Sequence, residues 1–310
     1  MHGESVGIYG KLPTQGDFVR VNASDPAAQS LDLWVQESLE QLQRAGAELP
    51  REATFFCYQG PHPALPVLLG AMAPSRDSVG RVYPVLIFTR IDPQLAAARL
   101  SALHVGYGRF LLDAARMLGD LDRADGALLA AWSRNMRLPS PELLAQADRV
   151  CMHVLGQSLS GDLQARVFGA DAMARWHYAY ALKTVVDGCD SARARPSRLS
   201  ITLDCPVGSD LDGFAWLEMI RRRLYGSQVR PSFVWREGAA PRLLVALGAA
   251  TPTMLKQLAR PADQAQNLWP LRAGRAEALE QAWAAMAPHH RQVLETPALP
   301  LEHLFAQMAR

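Results

Sequence analysis

A chain of 310 residues, 49% hydrophobic and 20% charged, carries enough apolar material for one large core or two smaller ones. Its 32 basic and 30 acidic side chains nearly cancel, at a formal net charge of +2, which gives no reason to expect nucleic acid or an anionic membrane as a partner. Four cysteines, Cys57, Cys151, Cys189 and Cys205, stand far apart with no Cys-x-x-Cys pair, as in a reduced cytoplasmic protein with small core thiols.

The opening MHGESVG lacks the charged-then-apolar pattern of a secretion signal. Val6 to Tyr9 reads as a first strand, followed by a turn, GKLPTQGDF. Ser24 or Asp25, ahead of Pro26, starts a helix with Leu31, Trp34, Val35, Leu39 and Leu42 on one face and Gly46 closing it. Thr54 to Tyr58 is aromatic and bounded by Gly60-Pro61, as a strand would be. The uncharged run from Phe55 to Ser75 is about as long as a membrane span, but Pro61, Pro63, Pro66 and Pro74 break it; it reads as a strand, a turn and a second buried segment. Val82 to Ile91 is almost continuously apolar, which suits a strand covered on both faces.

From Pro93 to about 190 apolar residues recur at helical spacing, with breaks near Gly126, Pro139-Ser140-Pro141, Gly161 and Gly169, until the polar DSARARPS ends at Ser197. Alternation returns at Leu199 to Leu203, followed by a helix from Trp216 to Leu224 with Ser209, Asp210 or Asp212 to cap its start. The run Arg221 to Arg223 reads as a solvated helix face. Ser232 to Trp235 and Leu243 to Leu247 form strands around REGAAP, and Thr251-Pro252 starts a short helix ending near Leu258. The remainder offers an Ala-rich helix from Arg275 to Ala287 and a last amphipathic turn or two. The expected architecture is a layered α/β/α sandwich with a large helical insertion in the middle of the chain. Its parts are a motif half 1–92, a mainly helical stretch 93–197 and a second α/β part 198–262, with a helical tail 263–310.

Patterns for known chemistry are incomplete. Gly7 and Gly10-Lys11 stand too close for a phosphate loop, and Leu12 replaces its hydroxyl residue. Gly106-Tyr107-Gly108 lacks the third glycine of a dinucleotide fingerprint and fits close helix packing better. There is no Gly-x-Ser-x-Gly elbow, and the histidines form neither HExxH nor HxxxH, so no cofactor or metal is expected. The charged turn residues Lys11, Asp17, Arg20, Asp77 and Arg81 are the more informative set. If their two turns lie side by side, Asp17 and Arg81 can form a bidentate pair that staples the loops or builds a partner-recognition surface. Ser75 and Ser78 are potential nucleophiles without a histidine nearby in sequence.

Two stretches, SVGIYGKLPTQGDFVR at 5–20 and APSRDSVGRVYP at 73–84, carry a family resemblance. The patterns GxYGKLPxxGDFxR and PSxDSVGRxYP, in that order, resemble the TagF (ImpM) family of type VI secretion-associated proteins. The segments 199–220 and 230–258 are also similar, so the resemblance spans roughly 5–270. It implies an α/β sandwich and a cytoplasmic, non-enzymatic, post-translational regulator, chiefly a repressor of assembly, with no cofactor and no carried-over catalytic residues. The implied partner is an FHA-domain scaffold, in a pathway with a Ser/Thr kinase and a PP2C-type phosphatase. The resemblance leaves two alternatives: an enzyme or nucleotide-binding protein using the loops around Lys11 and Arg81, and a structural part of the secretion apparatus.

Overall fold

The computed structural model describes residues 5–195, 201–261 and 265–309. Strands β1 (Gly7–Lys11) and β2 (Phe18–Val21) form a hairpin and lead into helix α1 (Pro26–Arg44). Asp25 is the cap, its Oδ1 accepting from the amides of Ala27 and Ala28 at 3.0 and 3.1 Å, and Pro26 takes the first helical position. β3 (Thr54–Tyr58), β4 (Val67–Ala73) and β5 (Val85–Ile91) follow. The Pro-interrupted apolar run is therefore two strands and a turn, and among the described residues no helix is long and apolar enough to cross a membrane.

The helical middle then runs through α2 (Pro93–Ala98), α3 (Leu103–Gly106), α4 (Gly108–Gly119), α5 (Gly126–Asn135), α6 (Pro141–Gln157), α7 (Ser160–Phe168) and α8 (Ala174–Ala194). Asp92, Asp125 and Ser140 cap α2, α5 and α6 as their positions before Pro93, Gly126 and Pro141 suggest. Gly106 marks close helix packing: a Cβ there would lie 2.7 Å from Leu144 Cδ2. The break expected at Gly161 falls earlier, at Ser158 and Leu159, and α8 takes in all of DSARA, the first five residues of the polar connection. Leu199 and Ser200 lie outside the described residues.

The chain returns to the sheet with β6 (Thr202–Cys205), α9 (Asp210–Arg223), β7 (Ser232–Arg236), β8 (Arg242–Ala246), α10 (Thr253–Ala259) and β9 (Leu268–Pro270). Helices α11 (Ala276–Ala285), α12 (Pro288–Leu294) and α13 (Leu301–Met308) end it. β2 and β9 are strands the sequence pattern did not announce: each is short and only partly buried.

All nine strands form one sheet in the order β2-β1-β5-β4-β3-β7-β8-β6-β9, antiparallel except for the β6–β9 pair. Its two faces follow the alternation of side chains along each strand. Ile87, Leu69, Phe55, Phe233 and Val245 point into a core shared with the helical middle, α9 and α13. Phe88, Leu68, Phe56, Val234 and Leu244 point into a second core under α1 and α10. This is an α/β/α sandwich with its helical insertion between β5 and β6. The near-continuous apolar character of β5 follows from cover on both faces, in a strand paired antiparallel on both sides. All four cysteines are buried and free.

The arginine run belongs to the packing and is not a solvated face. Buried Glu218 accepts from Arg221 at 2.7 and 2.8 Å, from Arg222 at 2.7 Å and from Ser101 at 2.7 Å. Arg223 pairs with Asp190 and donates to the Met308 carbonyl at 3.3 Å, and Arg222 donates to the Glu302 carbonyl at 3.2 Å. Thus α9 ties the last helix to the body of the molecule.

Candidate functional site

The strand registers bring both sequence motifs to one end of the sheet. Lys11 ends β1, where Tyr9 pairs with Leu86 of β5, and the 74–84 loop joins β4 to the start of β5. Gly10 makes this approach possible: its φ is +146° and a Cβ would fall 2.2 Å from the Pro84 carbonyl oxygen. The loops are sewn together mainly through backbone groups. Ser75 Oγ donates to the Lys11 carbonyl at 2.7 Å, and the Ser78 amide donates to the Gln15 carbonyl at 3.0 Å. Thr14 Oγ1 donates to the Ala124 carbonyl at 2.6 Å, fixing the first loop to the helical layer.

Asp77 is the centre of the assembly. Its side chain is 0% exposed and its Oδ2 lies 3.0 Å from Lys11 Nζ, itself 8% exposed, and 2.7 Å from Arg81 Nε. Oδ1 accepts from the amides of Val79 at 3.1 Å and Arg81 at 2.8 Å. Burial alone would raise the Asp77 pKa. The Arg81 amide, the Lys11 ammonium, the Arg81 guanidinium and the Val79 amide outweigh it and hold the carboxyl well below the usual range. Gly80, at φ +88°, lets the turn close, with its amide 2.9 Å from the Asp77 carbonyl.

The Asp17–Arg81 pair expected from the sequence does not form. Arg81 reaches across to the first loop, but it meets the Gly16 carbonyl and pairs with Asp77 on its own loop. Asp17 is exposed and its Oδ1 accepts from the Phe18 amide at 2.7 Å. Arg20 is exposed on β2, with its guanidinium 5.1 Å from the Tyr9 ring centre. Ser78 is exposed, while the Ser75 hydroxyl faces the Lys11 carbonyl.

An aromatic cluster beneath the loops escaped sequence reasoning. Tyr9 stacks on Phe18 at 5.1 Å, Phe18 meets the Tyr83 ring at 4.9 Å, and the Lys11 ammonium sits 5.1 Å from the Phe18 ring centre. Asp32 of α1 accepts from both tyrosine hydroxyls, at 3.0 Å from Tyr9 and 2.5 Å from Tyr83. Burial first, and Asp32 with it, pushes the Tyr83 hydroxyl far up. The signal was present in the two motif tyrosines, but nothing local to Asp32 identified it as their partner.

On this frame Val79 and Val82 stand 70% and 58% exposed; Arg76 and Arg81 of the same loop are exposed too, as are Asp17 on the first loop and Arg20 on β2. Beside them opens a groove of about 870 Å³, lined by Pro13, Leu39, Leu42, Pro74, Val82 and Leu118 among others. The arrangement offers a fixed basic and apolar surface. Among the described residues no three or more His, Cys, Asp or Glu side chains gather as a metal would need.

No curated protein matches the chain. Among solved structures, the Pseudomonas aeruginosa PAO1 protein PA0076 aligns at a TM-score of 0.46 and 17% identity, over 86% of this chain and 99% of its own. Residues 7–130 match the family described as "TagF N-terminal domain, Type VI secretion system-associated". Both motifs and every strand from β1 to β5 lie within that match, and this chain carries the type VI secretion-associated N-terminal domain of the TagF family over residues 7–130.

Proposed function

We propose that the protein is a non-enzymatic accessory factor of type VI secretion that binds a component of the apparatus after translation and represses its assembly. The observation carrying this reading is the internal use of the motif charges. Asp77 is saturated by donors from its own loop and Lys11. A carboxylate so held is a poor proton acceptor, and a lysine paired with it is ill-suited to cradle a phosphate. What the motifs present outward is Val79, Val82 and their arginines, a surface suited to a protein partner.

The partner implied by the family resemblance is the FHA-domain scaffold, met in the cytoplasm alongside the kinase and the PP2C-type phosphatase. Deleting the gene is expected to raise secretion under repressing conditions, and the wild-type gene restores repression. Secretion unchanged under both repressing and inducing conditions would end the proposal.

A further inference from the structure

The sheet ends on β2, which carries the close of the first motif. Among the described residues β2 pairs with β1 and with no other strand. Opposed residues of an antiparallel pair alternate between exchanging both backbone hydrogen bonds and exchanging none. Phe18, opposite Lys11, gives its N–H to Asp17 Oδ1 at 2.7 Å, while the Lys11 carbonyl accepts from Ser75 Oγ at 2.7 Å. That pair therefore exchanges none. Val19 and Val21 bond to Gly10 and Ile8, and Arg20 turns its N–H and C=O away from β1, on the same side as the Phe18 carbonyl. Backbone groups bare along an edge are matched by one kind of ligand, another extended chain.

The side chains give that chain a character. Arg20 is exposed on this edge, its guanidinium 5.1 Å from the Tyr9 ring centre and without a carboxylate partner among the described residues. Asp32, on the same face, is spent on Tyr9, Tyr83 and Gln36. Asp17 has one oxygen on the Phe18 amide, and Arg81 reaches the Gly16 carbonyl beside it. On the opposite face Val19 and Val21 belong to the core shared with α5. An incoming strand thus meets a cation on one face and apolar side chains on the other.

We propose that β2 takes up an extended segment of a partner protein as a further strand of the sheet. Acidic side chains of that segment lie on the Arg20 face and alternate with apolar ones on the Val19 and Val21 face. A second copy of this chain fits worse, because an antiparallel β2 sets Arg20 opposite Arg20, or opposite Phe18, whose amide is taken. The inference rests on the protein-binding reading of the motif surface and supplies the chemistry of the segment bound there.

The full chain, isotopically labelled at its backbone amides, is titrated with acetyl-Val-Glu-Val-Glu-Val amide, with the Val-Lys-Val-Lys-Val counterpart, and with the glutamate peptide N-methylated at both glutamates. The residue opposite Arg20 exchanges backbone bonds with it and also sets its side chain beside the guanidinium, so N-methylation removes the pairing and keeps the charge. The glutamate peptide is expected to shift the Arg20 amide resonance to saturation, with the lysine peptide at least tenfold weaker and the N-methylated peptide without effect. Arg20→Glu, at an exposed position, should reverse the preference between the two charged peptides. Absence of a saturable shift with the glutamate peptide, equal binding of the lysine peptide, or equal binding of the N-methylated one overturns the inference. A shift of the same amide on raising the protein concentration alone would mark a second copy on the edge and overturn it too. Gene deletion without effect on secretion would end the regulatory reading and leave this titration as it stands, so the two fail separately.

Discussion

The ammonium of Lys11 and the carboxylate of Asp77, each from a different motif, lie 3.0 Å apart in a setting almost closed to water. A pair so placed makes each motif dependent on the other, because removing one partner strands the remaining charge. Asp77→Asn should therefore lower Tm by on the order of 5–10 °C. Lys11→Met should cost less, because Asp77 keeps its two amides and Arg81. Thermal unfolding of the two variants checks the order; an equal or reversed order would mean that the loop is not organised by Asp77.

The same pair sets an acid dependence. The folded pKa of Asp77 is depressed, so the unfolded chain binds the proton more tightly. Its contribution is complete above the unfolded value of about 4 and fades as pH falls towards the lower folded value. The stability difference between wild type and Asp77→Asn should be flat from about pH 5 to 8 and shrink below about pH 4. Denaturant titrations at several pH values measure it, and a difference that grows on acidification would have the wrong sign.

Gly10→Ala introduces a methyl group 2.2 Å from the Pro84 carbonyl oxygen at a φ of +146°. Overpacking and backbone strain together should cost at least about 2 kcal/mol. Gly80→Ala meets open space and carries only the strain of its φ of +88°, about 1 kcal/mol. Urea unfolding of both variants gives the comparison.

Glu218 holds Arg221 and Arg222 from a buried position. Glu218→Ala leaves both guanidinium groups without it and should destabilise the fold by about 3 kcal/mol. Removing the chain from residue 297 onward uncovers the core beneath Leu301, Leu304, Phe305 and Met308, all at most 1% exposed. Such a truncation should bind a hydrophobic dye that the full chain ignores. A truncated protein as stable as the parent would mean that the last helix is dispensable.

The elements with local signals were legible in the sequence. Asp25-Pro26 and Asp92-Pro93 carry their own capping chemistry, and β3, β4 and β5 announce themselves by apolar runs between turns. The strands β2 and β9 were not, because short strands with mixed burial show no period. In the site, the charged motif residues were visible but their pairing was not. Asp17 and Asp77 are equivalent as letters; only the fold turns one to solvent and buries the other beside Lys11. Arg221 to Arg223 misled for a similar reason, since their partners Glu218, Asp190 and the Met308 carbonyl lie partly on other elements.

If the motif loops are a framework whose outward face binds a protein, as proposed, changing that face should release the partner. Partners are captured from cells carrying the secretion cluster, using tagged wild type and a Val79→Asp, Val82→Asp double variant. Both residues are exposed, so the variant should match the wild type in Tm to within a few degrees. Wild type is expected to retain the FHA-domain scaffold, and the folded variant to lose it by at least tenfold. A folded variant that keeps the same partner at wild-type yield would contradict the claim and move the interface away from these loops.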